Sequence, residues 1–360
     1  MKILGIHHIT LITANAQRNV DFYTRVLGQR FVKRTVNFDD PGSYHLYFGD
    51  ELGRPGTAIT FFEWPGAAKG AHGIGGTHHF AVAVSDYVGL LKWKRRLTDL
   101  GIAVRGPYDR KYFTSIYFDD PDGVIVEIAT QGPGFSVDEP ADQLGTTDQM
   151  PPSEHTHTIR SEAEIGAITW PEPVPAITRD MALLSGIHHI TAISSDISRT
   201  HDFLGGVLEV PLVKRTFNFD DLTSKHWYWG VNGGQPGTLI TYFERDPKKT
   251  RLARAGAGHT HHYALAVATV EEQLEWRDRI LSAGIPVSEV RDRTYFNSIY
   301  ARDPDGHIVE LATMGPGFTV DEPLATLGET LKLPVAVEPE RASIEASLRP
   351  LIVSAWSKPE

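Results

Sequence analysis

Short stretches of the chain alternate apolar and polar residues with a period of two, the signature of strands with two unlike faces. In His262-Tyr-Ala-Leu-Ala-Val267 one face holds His262, Ala264 and Ala266, and the other holds Tyr263, Leu265 and Val267. Ile308-Val-Glu-Leu-Ala312 divides the same way, with Glu310 between Ile308 and Ala312. Further strands are expected at Gly5–Thr13, Arg30–Asn37, Ser43–Phe48, Thr57–Glu63, His78–Val84, Ala103–Gly106, Arg110–Asp119 and Val124–Thr130. The period lengthens between Ala16 and Leu27, where Val20, Tyr23 and Leu27 share a helical face and Gly28 follows as a terminating glycine. A second helix is expected from Ser85 to Leu100, closed by Gly101. The order strand, helix, three strands therefore occurs twice before residue 130.

It then occurs twice more. Gly5-Ile-His-His-Ile-Thr10 returns at Gly186–Thr191, and Val32–Asp40 returns at Val213–Asp221, both 181 positions later (5 to 186, 32 to 213). Thr77–Val84 returns at Thr260–Val267, and Arg110–Thr130 at Arg293–Thr313, both 183 positions later (77 to 260, 110 to 293). A repeat of this length means two homologous halves. The expected fold is α+β: four βαβββ modules paired into two barrel-like, half-open sheets by tandem duplication. Residues 1–140 hold the first two modules and 185–323 the second two. Residues 141–184, rich in Pro and polar side chains, read as a linker, and 324–360 as a tail with a helical stretch around Arg341–Leu351. The helix after the fourth His-bearing strand opens Thr269-Val-Glu-Glu272, a capping-box pattern.

The alternation also locates the candidate chemistry. The faces that carry His and Glu are lined with alanine, which leaves room for a ligand, while the bulky faces should pack beneath helices. A carboxylate in so apolar a strand is costly unless it meets a partner or a metal. His8, Thr10 and Ile12 share the ligand face of the first strand, and His189 and Thr191 match them. Two imidazoles and one carboxylate on facing strands form a set that suits non-haem Fe(II) and leaves positions for substrate and O2. A lone buried His is ordinarily structural, but here the whole set is repeated. With consecutive modules paired, the sets are His8/His79/Glu127 and His189/His262/Glu310. With modules one and four paired, they are His8/His262/Glu310 and His79/Glu127/His189. Strict alternation points His7 and His188 away from the ligand face, so a bulge is needed if they are to reach it.

Composition narrows the class. There is no Cys, so disulfides, thiolate ligands and Cys nucleophiles are excluded. A net charge of −10 without a Lys/Arg cluster argues against nucleic acid. No apolar run is long enough to span a membrane. Met-Lys-Ile-Leu-Gly-Ile enters the first motif directly, so no signal peptide is expected and the location is read as cytoplasmic. The Asp-Pro-Asp-Gly turns at 120–123 and 303–306 lack the further carboxylates of a calcium loop.

In these residues the chain resembles the vicinal oxygen chelate superfamily, which comprises glyoxalases, bleomycin-resistance proteins and extradiol dioxygenases. Within it the chain looks most like the hydroquinone-type ring-cleaving dioxygenases. The similarity lies in Gly5–Thr10, Gln29–Thr35, Tyr44–Phe48, Pro55–Thr57, His261-His262, Arg293–Tyr300, Glu310–Thr313, Gly317-Phe318 and Asp321-Glu322. It implies an Fe(II) centre, with Mn(II) as the alternative, held by His8, His262 and Glu310. His7, Thr10, His261, Arg293 and Tyr300 would surround the metal or the substrate. The partners implied are a small aromatic substrate and O2. The chain departs from the better-known hydroquinone enzymes in one respect. Its second set, His79, Glu127 and His189 with neighbours His78, Arg110 and Tyr117, is intact, and this predicts a second metal site. Competing readings are a glyoxalase-like metal-dependent isomerase or lyase, which usually takes a fourth protein ligand, and a non-catalytic binding protein, which needs no complete triad. The choice of dihydroxybenzene and any homo-oligomerisation stay open at this point.

Overall fold

The computed structural model describes residues 1–183 and 185–359; the last residue assigned to the linker, 184, lies outside them. The first module runs β1 (Gly5–Thr13), α1 (Ala16–Asp21), β2 (Arg30–Asn37), β3 (Asp40–Gly49) and β4 (Ala58–Glu63). The second runs β5 (Thr77–Val84), α2 (Tyr87–Asp99), β6 (Arg105–Asp109), β7 (Thr114–Asp119) and β8 (Ile125–Thr130). The linker contributes β9 (Asp148–Gln149) and α3 (Glu162–Ala167). The third module is β10 (Ile187–Ser194), α4 (Ile197–His201), β11 (Leu212–Asn218), β12 (Asp221–Trp229) and β13 (Leu239–Glu244). The fourth is β14 (Thr260–Val267), α5 (Val270–Ser282), β15 (Arg291–Asp292), β16 (Asn297–Arg302) and β17 (Ile308–Thr313), with α6 (Arg341–Ser347) in the tail.

The hydrogen-bonded sheets cross the halves of the duplication. One has the order β15-β16-β17-β14-β1-β4-β3-β2, and the other β6-β7-β8-β5-β10-β13-β12-β11-β9. Modules one and four thus share one sheet, and modules two and three share the other. The joining ladders are equivalent: β1 runs antiparallel to β14 and β10 antiparallel to β5. Two reciprocal backbone bonds tie the sheets together, Ile6 N–H to Gly237 O and Ile187 N–H to Gly56 O, each 2.8 Å. Gly186 (φ +83°) sits at this seam, where a Cβ would stand 2.3 Å from Gly56 O, so only glycine is accommodated.

Local departures from the expected elements have physical causes. The first helix is α-helical only to Asp21. It widens to a π-turn over Phe22–Val26, with Leu27 N–H reaching back to Phe22 O, and this keeps Phe22 and Tyr23 buried. The α2 helix starts later than Ser85, because Asp86 caps it by accepting from Gly89 N–H. The expected strand from Arg110 begins only at Thr114. Arg110 to Phe113 instead form a tight reversal with Lys111 at φ +67°, repeated at Arg293 to Phe296 with Thr294 at φ +70°. The strand expected at Ala103–Gly106 is displaced to Arg105–Asp109, where it pairs with β7. The tail helix is shorter than expected and ends at Ser347. Thr269 caps α5 as its motif predicts, accepting from Glu272 N–H.

The bulky strand faces pack beneath the helices. Trp93 of α2 and Trp276 of α5 are fully buried there, against Phe118 and Ile299 among others. The alanine-lined faces turn into the two curled sheets. Among the described residues no helix is long and apolar enough to cross a membrane.

Two candidate metal centres

Each curled sheet brings together one triad. In the first, His8 of β1, His262 of β14 and Glu310 of β17 converge, all buried. Their donor atoms stand 3.3 Å apart for His8 Nε2 and His262 Nε2, 2.9 Å for His262 Nε2 and Glu310 Oε2, and 3.5 Å for His8 Nε2 and Glu310 Oε2. In the second, His79 of β5, His189 of β10 and Glu127 of β8 converge at 3.2 Å (His79 to His189), 2.9 Å (His79 to Glu127) and 3.2 Å (His189 to Glu127). The module pairing left open by the sequence is decided for one-with-four and two-with-three. Neither triad of the consecutive pairing forms.

A β-bulge assembles each centre. The β1/β14 register slips between Ile6 and His8, and the β10/β5 register slips between Ile187 and His189. Strict alternation would send His7 to the opposite face, but the slip turns both rings inward. His7 Nδ1 then lies 2.8 Å from His8 Nδ1, and His7 Nε2 lies 3.0 Å from Thr313 O. Burial, then the neighbouring His8, pushes His7 down to about 3, so its ring is neutral. Its Nε2–H donates to the Thr313 carbonyl, and its bare Nδ1 accepts from His8 Nδ1–H. In the neutral His8 ring this contact would leave the Nε2 lone pair facing the triad. The same Nδ1-to-Nδ1 contact recurs at 2.8 Å for His261/His262 and His78/His79, and at 2.9 Å for His188/His189.

The triads fit a divalent metal. Bonds of about 2.1 Å at right angles separate neighbouring donors by about 3.0 Å, close to the spacings here. Glu310 Oε2 and both carboxylate oxygens of Glu127 are buried without a hydrogen-bond donor aligned on them. Burial would raise the Glu310 carboxyl, but His8 and His262 hold it well below the ordinary carboxylate range, and His189 and His79 do the same for Glu127. Burial keeps His262 and His79 less basic than free imidazole, as metal binding requires. A cation seated among the three donors would take over from imidazole protons the work of holding the buried carboxylate ionised.

The first cavity, about 150 Å³, is lined by His8, His262 and Glu310 together with His261, Arg293, Tyr300, Phe296, His45 and Tyr47. Arg293 Nε–H donates to Tyr300 OH at 3.1 Å, and Asp39 lies 3.4 Å from the guanidinium. Burial, then Glu310, raises the Tyr300 hydroxyl above its usual range, so it stays protonated. His261 is pushed down to about 3 by burial and then by His262. Thr10 does not line this cavity. Its hydroxyl contacts Thr60 Oγ1 at 2.8 Å, Thr60 meets His45 Nε2 at 2.9 Å, and Tyr47 OH meets His45 Nδ1 at 2.9 Å. Thr10 and His7 thus stand behind the centre and orient the groups that face it.

The sequence reading missed His45 and Tyr47 as site residues, although His-x-Tyr returns 181 positions on as His226 and Tyr228. The second cavity, about 310 Å³, contains these equivalents with His78, Arg110 and Tyr117. It also contains Arg160 of the linker, for which the sequence carried no signal because it has no counterpart in the other half.

The family model for the Glyoxalase/Bleomycin resistance protein/Dioxygenase superfamily matches residues 5–128 and again 186–311. A Bacillus subtilis (strain 168) protein named "Putative ring-cleaving dioxygenase MhqO" is 38% identical over 361 residues, covering 98% of both chains. The chlorohydroquinone/hydroquinone 1,2-dioxygenase of Sphingobium indicum is 31% identical, covering 94% of this chain and 93% of its own. The crystal structure of a "putative dioxygenase" from Bacillus subtilis superposes with a TM-score of 0.77 at 34% identity, covering 98% of this chain and 99% of that one.

Proposed function

This chain belongs to the Glyoxalase/Bleomycin resistance protein/Dioxygenase superfamily, and from that premise we propose that it is a non-haem Fe(II), extradiol-type dioxygenase acting on a hydroquinone-like ring. The observation that carries this reading is the convergence of three metal-ligating atoms, on His8, His262 and Glu310, in the wall of a ring-sized cavity that also holds an Arg–Tyr pair. The printed activity of the Sphingobium relative supplies the ring class. In this reading the C–C bond between a hydroxylated carbon and its neighbour breaks, and both atoms of O2 enter the product.

A bound divalent metal, Fe(II) by donor set with Mn(II) as the alternative, would supply Lewis acidity toward a phenolic oxygen and open positions for substrate and O2. The chain's own residues do the rest. Phe296, Phe62 and Tyr47 enclose the ring and exclude water. The Arg293 guanidinium holds the charge of a phenolate, a task its forked donors suit. Tyr300, kept protonated, donates a hydrogen bond at the position where negative charge grows. His261, kept neutral by burial, lines the cavity and meets His262 Nδ1 to Nδ1 at 2.8 Å, which orients that ring.

The test is anaerobic Fe(II) loading with metal counted per chain, then O2 uptake with hydroquinone or methylhydroquinone against catechol. Uptake with the hydroquinones that is lost in Glu310→Ala supports the reading. Full loading without uptake on any ring overturns it in favour of an isomerase, and absence of metal binding overturns it in favour of a binding protein.

A further inference from the structure

We propose that the second triad is a second metal centre, and that its cavity takes a dihydroxybenzene bearing an anionic substituent such as a carboxylate. The metal half rests on the geometry of His79, His189 and Glu127, whose donor atoms lie 2.9–3.2 Å apart around two carboxylate oxygens with no aligned donor. The groups that surround the first triad recur here. Arg110 stacks over Tyr117, with 5.6 Å from its guanidinium carbon to the ring centroid. His226 Nε2 lies 2.8 Å from Thr241 Oγ1, which in turn donates to Thr191. This cavity is larger than the first (about 310 against about 150 Å³).

The substrate half rests on where the two cavities differ. The first has Arg293 in its wall, with Arg291 and Arg302 in the adjoining groove that shares Asp39, His261, Arg293 and Tyr300, and it has two carboxylates, Asp39 and Glu310. The second has four guanidinium groups, Arg105, Arg110, Arg160 and Arg245, with Asp220 in the wall and Glu127 as its triad carboxylate. By the duplication, Arg245 replaces Trp64 and Arg105 replaces Ser288, and Arg160 comes from the linker. Arg110 and Arg160 share Asp220, at 3.3 and 2.6 Å. The other acids that pair with these arginines, Asp119, Glu162 and Asp221, do not line the cavity. A ligand inside therefore meets Arg105 and Arg245 with their counter-charges behind them, and Arg110 and Arg160 with one shared carboxylate, Asp220, beside them in the wall. Arg160 is firmly held: its side chain is only 7% exposed, and its guanidinium lies 4.3 Å from the Tyr108 ring centroid. Tyr108 OH in turn donates to Glu162 at the start of α3. Forked, preorganised guanidinium groups at the edge of an aromatic slot are suited to a carboxylate on the ring.

The choice of a dihydroxybenzene rests on the ring-cleaving reading, whereas the metal count does not. The whole chain and its Glu310→Ala, Glu127→Ala and double variants would be loaded anaerobically with Fe(II), desalted and analysed for iron, with far-UV circular dichroism and melting curves reporting folding. The expected counts are two, one, one and none. The corresponding Gln variants repeat the count for any Ala variant that misfolds. One iron in the parent protein and none in Glu310→Ala overturns the second centre. Calorimetry without O2 on iron-loaded Glu310→Ala then compares 2,5-dihydroxybenzoate with hydroquinone. The carboxylated ring is expected to bind at least about tenfold tighter, and adding Arg160→Ala is expected to remove most of that preference. Equal or weaker binding of the carboxylated ring overturns the substrate half. O2 uptake by the Glu127→Ala variant reads the first centre alone, so failure of the ring-cleaving reading would show there and leave the iron count untouched.

Discussion

His7 Nδ1 lies 2.8 Å from His8 Nδ1, two adjacent strand residues whose rings a β-bulge has turned to the same side. That contact orients His8 through a chain running from the Thr313 carbonyl to the Nε2 that faces His262 and Glu310. His7 is thus a positioning residue. His7→Phe should weaken Fe(II) affinity at the first centre by about 10–100-fold, the usual effect of removing a partner that orients a ligand. His7→Gln, which retains an acceptor, should lose less. Metal titration in the Glu127→Ala background reads this directly, and equal affinities for His7→Phe and the parent would remove the positioning role.

Tyr300 and Arg293 should separate kinetically. Tyr300→Phe deletes one donor and should lower kcat by about 10²-fold with little change in KM, as expected for a bond that strengthens as charge develops. Arg293→Ala removes substrate charge pairing as well as the partner of Tyr300, so both kcat and KM should suffer. A Tyr300→Phe variant that changes only KM would place the hydroxyl in ground-state binding.

Lys33 is fully buried on β2, where its ammonium meets Asp321 at 2.6 Å and also Glu322. It ties the segment around Phe318, which packs on Tyr47 behind the first cavity, to the sheet. Lys33→Met leaves Glu322 buried without its cation and should cost about 3–5 kcal/mol in urea unfolding. The double variant Lys33→Met/Glu322→Gln should recover much of that loss. No recovery would mean that packing of the lysine stem, rather than the charge, is what matters.

Two buried turn aspartates make stability depend on pH in an unusual direction. Burial, then the Asp122 charge, pushes Asp120 up to about 7, and burial, then Asp305, pushes Asp303 up to about 6. A folded-state pKa above the unfolded value means that the folded chain holds the proton more tightly. Each group's contribution is therefore fully present below about pH 4 and is lost as the pH rises through 6 to 7. Asp120→Asn keeps an acceptor for the Asp122 and Val124 N–H groups without the charge. Its Tm should gain on the parent steadily from pH 4 to pH 8, by up to roughly 4 kcal/mol equivalent. A Tm difference that stays constant across that range would show that Asp120 does not titrate in the folded state.

The chain's own pattern determined the donor set. Alternation places Glu310 between Ile308 and Ala312, and His262 beside Ala264, so the ligand face can be read without coordinates because side-chain direction in a strand is a strictly local property. The duplication likewise shows four modules and two complete sets. The partner of β1 was decided only in three dimensions. Thr77–Val84 and Thr260–Val267 differ at only two positions, and ladder hydrogen bonds are made by the backbone, so either strand could lie beside β1 as far as local chemistry is concerned. The bulge that turns His7 inward, and the linker arginine that enters the second cavity, belong to the same category. Both arise from packing between segments far apart in the chain, and no periodicity within either segment records that contact.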